Sequence, residues 1–414
     1  MKRPPRVLAL APYCDGLDVG EAWCAHQWIA HLARRTHVTL LTLRRANRVP
    51  ASAQLPGVEV VEWDERLAPQ RFGRLASMLK PGYLGFYTEA RRWTAAALAA
   101  GREFDIAHQF TPIALRYPSP LAGLPIPYVL GPLGGSLETP EGFEAECGSA
   151  AWYTRLRGLD RWRLRCDPML RRSYAGAAAV LGVAPYVREL LAHTAPPRFE
   201  VISELGIEGL APAGTRASDP AGLKLLHVGR AVRTKGLRDA IRAIALLPVG
   251  VGVHLDVAGQ GEETALCREE ATRLGVSDRI SFHGQIPRAA VEDLYARADA
   301  FLFPSFREPS GSVVFEALRH GLPVITTDRG GPGFVIDDSC GIKVPAVDPT
   351  QLATALAGAI TRLAHDPVLR ERLAAGARER VAAVGLWENK IGWLLDFYAE
   401  LVRDSRHPEF REVI

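Results

Sequence analysis

The stretch LKLLHVGRAVRTKGLRDAIRAIALL, Leu223 to Leu247, governs how the chain is read. LKLLHV is a short apolar run, as expected for a strand buried on both faces. A glycine-bearing loop follows, from Gly229 to Gly236. LRDAIRAIALL then spaces its apolar residues as a helix does. Strand, glycine loop and helix form the first step of a parallel βαβ unit. RVLALAP, CDGLDVGEAW and AHQWIAHLARR repeat that order near the start of the chain. Each triplet opens a series of short apolar runs. HVTLLTL, FDIAHQF, IPYVLGP and AAAVLGV continue the first series, and VHLDVAG, RISFHG, AFLFPS and LPVITT the second. Between them lies APAGTRASDPAG, Ala211 to Gly222, rich in Ala, Pro and Gly and without periodicity, which reads as a linker. The expectation is an α/β protein with two Rossmann-like, doubly wound parallel sheets. The first domain covers 1–210 and the second 223–385. The helical segment 386–414 can lie on either and can cross back to the first. Ligands of such sheets bind beyond the carboxyl ends of the strands.

A length of 414 residues suits about two to three domains. The net charge of +4 is too small to imply a nucleic-acid partner. The six cysteines are scattered, with no CxxC pair, which favours free thiols in a reducing compartment over disulfides or zinc. No apolar run approaches the roughly 20 residues that span a bilayer. MKRPPRVLALAPYC imitates a signal peptide, but its apolar run, Val7 to Ala11, is shorter than a signal core of about 7–15 residues. A buried first strand and a cytoplasmic location are the expectation.

In HVGRAVRTKGLRDA, Gly229, Arg230, Lys235 and Gly236 lie between a strand end and a helix start, where backbone N–H groups converge. Arg230 and Lys235 add positive charge suited to a diphosphate. Two solvated loop cations are the plain alternative. DVAGQGEE lacks the third glycine of a dinucleotide fingerprint, which argues against NAD. GPLGGS, Gly131 to Ser136, can serve either a backbone–ligand approach or a tight turn. No Asp-x-Asp pair is present to hold a metal, so no metal and no cofactor are expected.

FREPSGSVVFEAL, Phe306 to Leu318, carries two carboxylates. DAFLFPS before it reads as a strand ending near Phe303. VVFEALRHG reads as a helix closed by Gly321, with Ser310 or Ser312 as its cap. In one continuous helix Glu308 and Glu316 would diverge by about 80°. The break at Pro309 to Gly311 lets both address one extended ligand. A carboxylate accepts hydrogen bonds from a vicinal diol. A helix-dipole partner and a surface glutamate are the plain alternative.

With these pieces in order, the second half resembles the retaining glycosyltransferases of family 4, which have the GT-B fold of two such domains facing a central cleft. VGR…KG, VAGQGEE, ISFHGQIP, LYARADAFLFPSFREPSGSVVFEALRHGLPVITTDRGGPG and CGIKV carry the resemblance, with Glu308 and Glu316 on the family's E-x7-E motif. It covers most of 223–345 and is looser before that, where FDIAHQF and VISELGIE are its clearest echoes. The resemblance implies metal-independent transfer of a sugar from a nucleotide-diphosphate sugar with retained configuration. It implies that Arg230 and Lys235 hold the diphosphate beside Gly229, and that Glu308 contacts the donor sugar. Glu316 would take the ribose. Gln285 and Ile286 would line the base, the amides of Gly311, Ser312 and Val313 would face phosphate or sugar, and the loop at Gly20 would approach the diphosphate. Three departures stand out. No histidine follows YVLGPLGG, Leu205 replaces the usual asparagine before Gly206, and GGPGFV lacks a glutamate. His108 in FDIAHQF is then the substitute candidate for a catalytic histidine, against a structural role. Envelope or exopolysaccharide synthesis is the default expectation for the acceptor, a small natural product the runner-up. A non-catalytic nucleotide-sugar binder, an epimerase and a dehydrogenase are the competing classes.

WYTRLRGLDRWRLRCDPML, Trp152 to Leu170, places Trp152, Leu156, Leu159, Trp162, Cys166 and Met169 at helical spacing among five arginines. Such a helix can lie on an anionic membrane, putting the protein peripherally at the inner face. It can equally pack its apolar stripe on the first sheet.

Overall fold

The computed structural model describes residues 4–65, 82–147, 158–212 and 222–405. The chain divides into two compact units. One comprises Met1–Ser136, Ala150–Glu204 and Lys390–Ile414, and the other Leu137–Ser149 and Leu205–Asn389. The expected boundary at residue 210 thus falls at Glu204, and Leu137–Ser149 joins the second unit although it lies within the first half of the chain. Most of the expected linker lies outside the described residues.

The first unit is built on a parallel sheet ordered β3-β2-β1-β4-β5-β6-β7. Its strands are β1 (Val7–Leu10), β2 (Val38–Arg44), β3 (Glu59–Asp64), β4 (Ile106–Gln109), β5 (Tyr128–Leu133), β6 (Ala179–Gly182) and β7 (Phe199–Val201). β1 is apolar throughout because it is central, with all four residues buried between β2 and β4. The strand order reverses between β1 and β4. Gly20, at φ +68°, opens the helix Glu21–Ala33 after β1. Of the GPLGGS glycines, Gly131 serves packing, since a Cβ there would stand 2.2 Å from the carbonyl of Leu181 on β6.

His108 on β4 is a core residue and not an accessible acid–base group. It is 0% exposed. Its Nε2 meets the Gly131 carbonyl at 2.7 Å, and its Nδ1 is paired with the Tyr398 hydroxyl. Phe110 stacks on the ring with centroids 3.8 Å apart. A neutral imidazole satisfies both bonds, donating from Nε2 and accepting at Nδ1. Burial pushes its pKa down to about 3, against the Gly131 bond, which favours the proton.

The arginine-rich stretch is not one helix. Residues 148–157, with Trp152 and Leu156, lie outside the described residues. The remainder forms two short helices, Gly158–Cys166 and Pro168–Ala175. Asp167 breaks them apart, its carboxylate accepting from the amides of Met169 and Leu170 as an N-cap, with Pro168 in the first turn. Trp162 and Met169, expected in an inward stripe, are 62% and 51% exposed, whereas Leu164 and Leu170 are buried.

The second unit has a parallel sheet ordered β10-β9-β8-β11-β12-β13. The strands are β8 (Leu223–Val228), β9 (Val253–Ala258), β10 (Ile280–Gly284), β11 (Ala300–Phe303), β12 (Val324–Thr327) and β13 (Gly341–Val344). Helix Leu237–Ala245 buries Ala240, Ile241, Ala243 and Ile244 in the core with Leu225 and Leu255. The opposite face of the sheet is packed around Phe301, Phe303, Phe315 and Tyr295. The strand order reverses between β8 and β11, so the loops leaving these two strands part at a topological switch point.

His108 has a folded-state pKa below that of the unfolded chain. As pH falls below about 6.5 the unfolded state takes up a proton that the folded state refuses until about pH 3, so stability is lost over that window. The slope is at most about 1.4 kcal/mol per pH unit. His108→Gln is expected to melt at a lower temperature at neutral pH and to lose less stability than wild type between pH 6.5 and 4.5. Parallel melting curves across that range would contradict the assignment.

Candidate active site

The switch point of the second unit sets the loop after β8 beside the loop after β11. Gly236 holds the left-handed conformation at φ +77°, and a Cβ there would stand 2.1 Å from the Pro304 carbonyl, so any other residue would push the loops apart. The Phe306 amide and Ser305 hydroxyl both donate to the Thr234 carbonyl, at 3.2 and 2.8 Å. The short turn Arg233–Lys235 thereby presents the Lys235 ammonium to the Glu308 carboxylate, and the two form an ion pair. Their side chains are 17% and 14% exposed. Burial pushes the Lys235 pKa down to about 8, helped by repulsion from Arg230 and Arg307, while Glu308 supplies counter-charge. Arg230 is exposed on the same loop.

Glu308 belongs to a loop locked from behind. The Gly331 amide donates to the Glu308 carbonyl at 3.0 Å, and a Cβ on Gly330 would stand 2.0 Å from that oxygen. Gly311, at φ +79°, turns the chain into the helix Ser312–Arg319 and is the cap residue itself, where the sequence reading expects Ser310 or Ser312. Gly311 is buried, Ser312 exposed and Val313 half-buried. The amides of such a first turn have no partner within the helix and are available to an anion.

Glu316, further along that helix, addresses other residues. Its Oε1 accepts from Arg288 at 3.0 Å and its Oε2 from the Tyr295 hydroxyl at 3.2 Å. Both partners come from the helix Arg288–Arg297 after β10. They are absent from the sequence reading, though Arg288, Glu292 and Tyr295 recur at helical spacing on one face. Gln285 and Ile286 precede that helix, Gln285 exposed and Ile286 half-buried against the core.

The loops after β8, β9 and β10 are stitched together by backbone. Gly229 donates to the Ala258 carbonyl at 3.0 Å and Gly259 to the Gly284 carbonyl at 2.8 Å. A Cβ on Gly259 would lie 2.0 Å from the Gly229 oxygen. The glycines of VAGQGEE therefore serve loop packing.

The sequence reading also misses the strap Leu137–Cys147. Phe143 is wholly buried and stacks on Phe306 with centroids 4.1 Å apart. The Arg233 guanidinium lies over both rings, at 5.3 and 5.2 Å. It bonds Asp239 twice, at 2.5 and 3.0 Å, and Glu146 at 2.8 Å through Nε. Arg329 donates to the Glu138 carbonyl at 2.9 Å and Arg307 to the Thr139 hydroxyl at 2.9 Å. The strap thus holds the residues that flank both Lys235 and Glu308. Among the described residues no group of three or more His, Cys, Asp and Glu could hold a metal ion.

Clustered cations and helix-terminal amides can bind a diphosphate, and carboxylates can accept from hydroxyls. Residues 216–380 match the family described as glycosyl transferases group 1. A glycogen synthase of Mycobacterium tuberculosis is 31% identical over 202 residues, 48% of this chain and 48% of that protein. The lipopolysaccharide core biosynthesis glycosyltransferase LpsE of Rhizobium meliloti is 35% identical over 179 residues, 43% of this chain and 49% of that protein. The chain thus spans about half the length of these curated relatives. The crystal structure of HepE from Anabaena in complex with UDP superposes with a TM-score of 0.62 at 16% identity, covering 95% of this chain and 100% of that one. At that identity the likeness establishes the fold. Residues 216–380 therefore resemble the glycosyl transferases group 1 family, within a chain that has the GT-B fold.

Proposed function

We propose that the protein is a retaining, metal-independent glycosyltransferase, moving a sugar from a nucleotide-diphosphate sugar to an acceptor hydroxyl in envelope or exopolysaccharide synthesis. The observation that carries this reading is the Lys235–Glu308 pair at the switch point, flanked by Arg230 and the helix start at Gly311. The apposition suits a ligand with a diphosphate at one end and a polyol at the other. A crystal of the neighbour HepE holds UDP, and LpsE is named for lipopolysaccharide core synthesis, which supports both the donor class and the envelope role.

In the proposed reaction the bond between the anomeric carbon and the diphosphate oxygen breaks, and its electron pair stays on that oxygen. The acceptor oxygen bonds to the same face of the anomeric carbon, and its proton passes to the departing phosphate. Arg230 and Lys235 stabilise the charge that develops on the leaving group. Glu308, released from Lys235 by the diphosphate, accepts from donor-sugar hydroxyls. Glu316 accepts from the ribose diol in place of the exposed Arg288. Positioning and electrostatics are the whole of the protein's contribution, with no covalent intermediate.

Screening UDP, GDP, ADP and TDP sugars by thermal shift identifies the donor. With it, and in buffer containing EDTA, Arg230→Ala and Lys235→Ala are expected to lower kcat by about 100-fold or more while nucleoside binding is retained. Wild-type turnover in both variants would place the site elsewhere. Nucleoside diphosphate affinity in the wild type should weaken as pH rises through about 8, where Lys235 loses its proton, and the Lys235→Ala variant should be flat there. Glu316→Ala is expected to weaken donor affinity about tenfold, in keeping with loss of hydrogen bonds to a charged group. An unchanged donor Kd by calorimetry would remove the ribose role. Glu146→Gln leaves the Asp239 bonds to Arg233 intact and loosens the strap, so kcat should fall about 10-fold with acceptor KM unchanged. A lower melting temperature with unaltered kcat would make Glu146 a stability residue only.

A further inference from the structure

Beneath the loop after β8 lies a histidine with no part in the proposed transfer. His227 is the last but one residue of β8 and is 0% exposed. Its Nδ1 meets the Leu302 carbonyl on β11 at 2.9 Å. A carbonyl only accepts, so Nδ1 carries the proton and Nε2 presents a bare lone pair. Burial pushes the His227 pKa down to about 4, helped by the charge of Lys235 and against the Leu302 bond, so the ring is neutral at neutral pH. Nε2 is buried and, among the described residues, has no hydrogen-bond partner. A buried acceptor without a donor is unfavourable, and its surroundings show which group can relieve it. Nε2 faces the loop, since a Cβ built on Gly229 would stand 4.0 Å from it and 3.5 Å from the Phe303 ring. The Gly229 amide is already given to the Ala258 carbonyl. The Lys235 ammonium lies 5.5 Å over the centre of the same Phe303 ring, which is 5.7 Å from the centre of the His227 ring. His227, Leu302, Lys235 and Glu308 all belong to the second unit.

We propose that His227 is a positioning residue for donor binding, its Nε2 being the seat that receives Lys235 when a diphosphate draws the ammonium away from Glu308. In the free protein Lys235 is paired with Glu308. A diphosphate bound over the Gly229 loop pulls the ammonium toward Gly229, where Nε2 is within its reach. An ammonium has three N–H donors. It can therefore donate to phosphate oxygens and to Nε2 together, which leaves Glu308 to accept from sugar hydroxyls. A neutral imidazole suits this task. A protonated ring would repel the lysine, and a phenyl ring would offer no acceptor. No covalent bond changes and no proton changes owner; a charge-assisted hydrogen bond fixes where the positive charge stands. This role presupposes the donor reading of the site and adds to it the group that separates Lys235 from Glu308.

The test uses the full chain with its histidine ring nitrogens isotope-labelled, titrated with UDP, GDP, ADP and TDP in parallel and followed by nitrogen NMR. The His227 Nε2 signal, identified by its absence in His227→Gln, is expected to move to a hydrogen-bonded position when a nucleoside diphosphate binds. It should stay in place in Lys235→Ala at saturating ligand. By calorimetry, His227→Phe is expected to bind that nucleoside diphosphate about tenfold more weakly, as for loss of a hydrogen bond to a charged group. His227→Gln, whose amide can donate to Leu302 and accept from Lys235, should stay within about threefold of wild type. A purely structural role would lower the melting temperature and leave the two variants alike in binding. An Nε2 signal that is unmoved while a nucleoside diphosphate binds would remove the role of His227 and leave the donor reading standing. So would a shift that persists in Lys235→Ala, or wild-type affinity in His227→Phe. Binding of none of the four nucleoside diphosphates would remove both the role and the donor reading.

Discussion

A guanidinium buried against two stacked aromatic rings is the constraint on which the rest of the second unit depends. Arg233 is 5% exposed, and a charge so buried is tolerated only when paired and hydrogen-bonded. Asp239 supplies two bonds from the following helix and Glu146 a third from the strap. Phe143 from the same strap and Phe306 from the loop after β11 lie against the guanidinium. Three other stretches of chain therefore agree on one position for Arg233. Lys235 is two residues downstream of it, and Glu308 is two residues downstream of Phe306, so the ion pair between them inherits its geometry from this buried charge. Breaking a pair of this kind costs about 3–5 kcal/mol, which makes the arrangement stiff.

Much of the fold was legible because its grammar is local. Apolar runs such as LKLLHV and RVLALAP sit in the middle of their sheets and are buried on both faces. The strands that escaped are edge or near-edge strands. β3 carries three acidic residues among its six and is only half-buried, and β7 has three residues. The supposed single helix from Trp152 failed for a local reason as well. Asp167–Pro168 is a helix start signal, and an apolar stripe drawn through it joined two separate helices. Leu137–Ser149 escaped for the opposite reason, since nothing local shows which sheet a segment will join.

The candidate site was legible in its chemistry and incomplete in its supports. Lys235, Glu308 and Gly236 could be picked out because strand ends and glycine turns mark where ligands meet a parallel sheet. Arg288 and Tyr295, which hold Glu316, are reached only through contacts 28 and 21 residues apart in sequence. Arg233 and Glu146 are 87 apart. His108 shows the converse. A histidine at a strand end invites a catalytic role, but its second partner, Tyr398, lies 290 residues downstream and makes it part of the core.

The path of the chain has a consequence for synthesis on the ribosome. The last part of the helix Trp387–Asp404 belongs to the first unit, with Leu394 and Tyr398 at 0% exposure and Leu401 at 4%. Tyr398 closes over His108, and Lys390 lies 5.0 Å above the Trp28 ring. The first unit is thus begun first and finished last. Its sheet emerges early, but its core stays open until the helix Trp387–Asp404 leaves the exit tunnel. Leu205–Asn389, by contrast, emerges as one run while its strap is already outside. Vectorial folding therefore favours completion of the second unit while the first still waits for its closing helix.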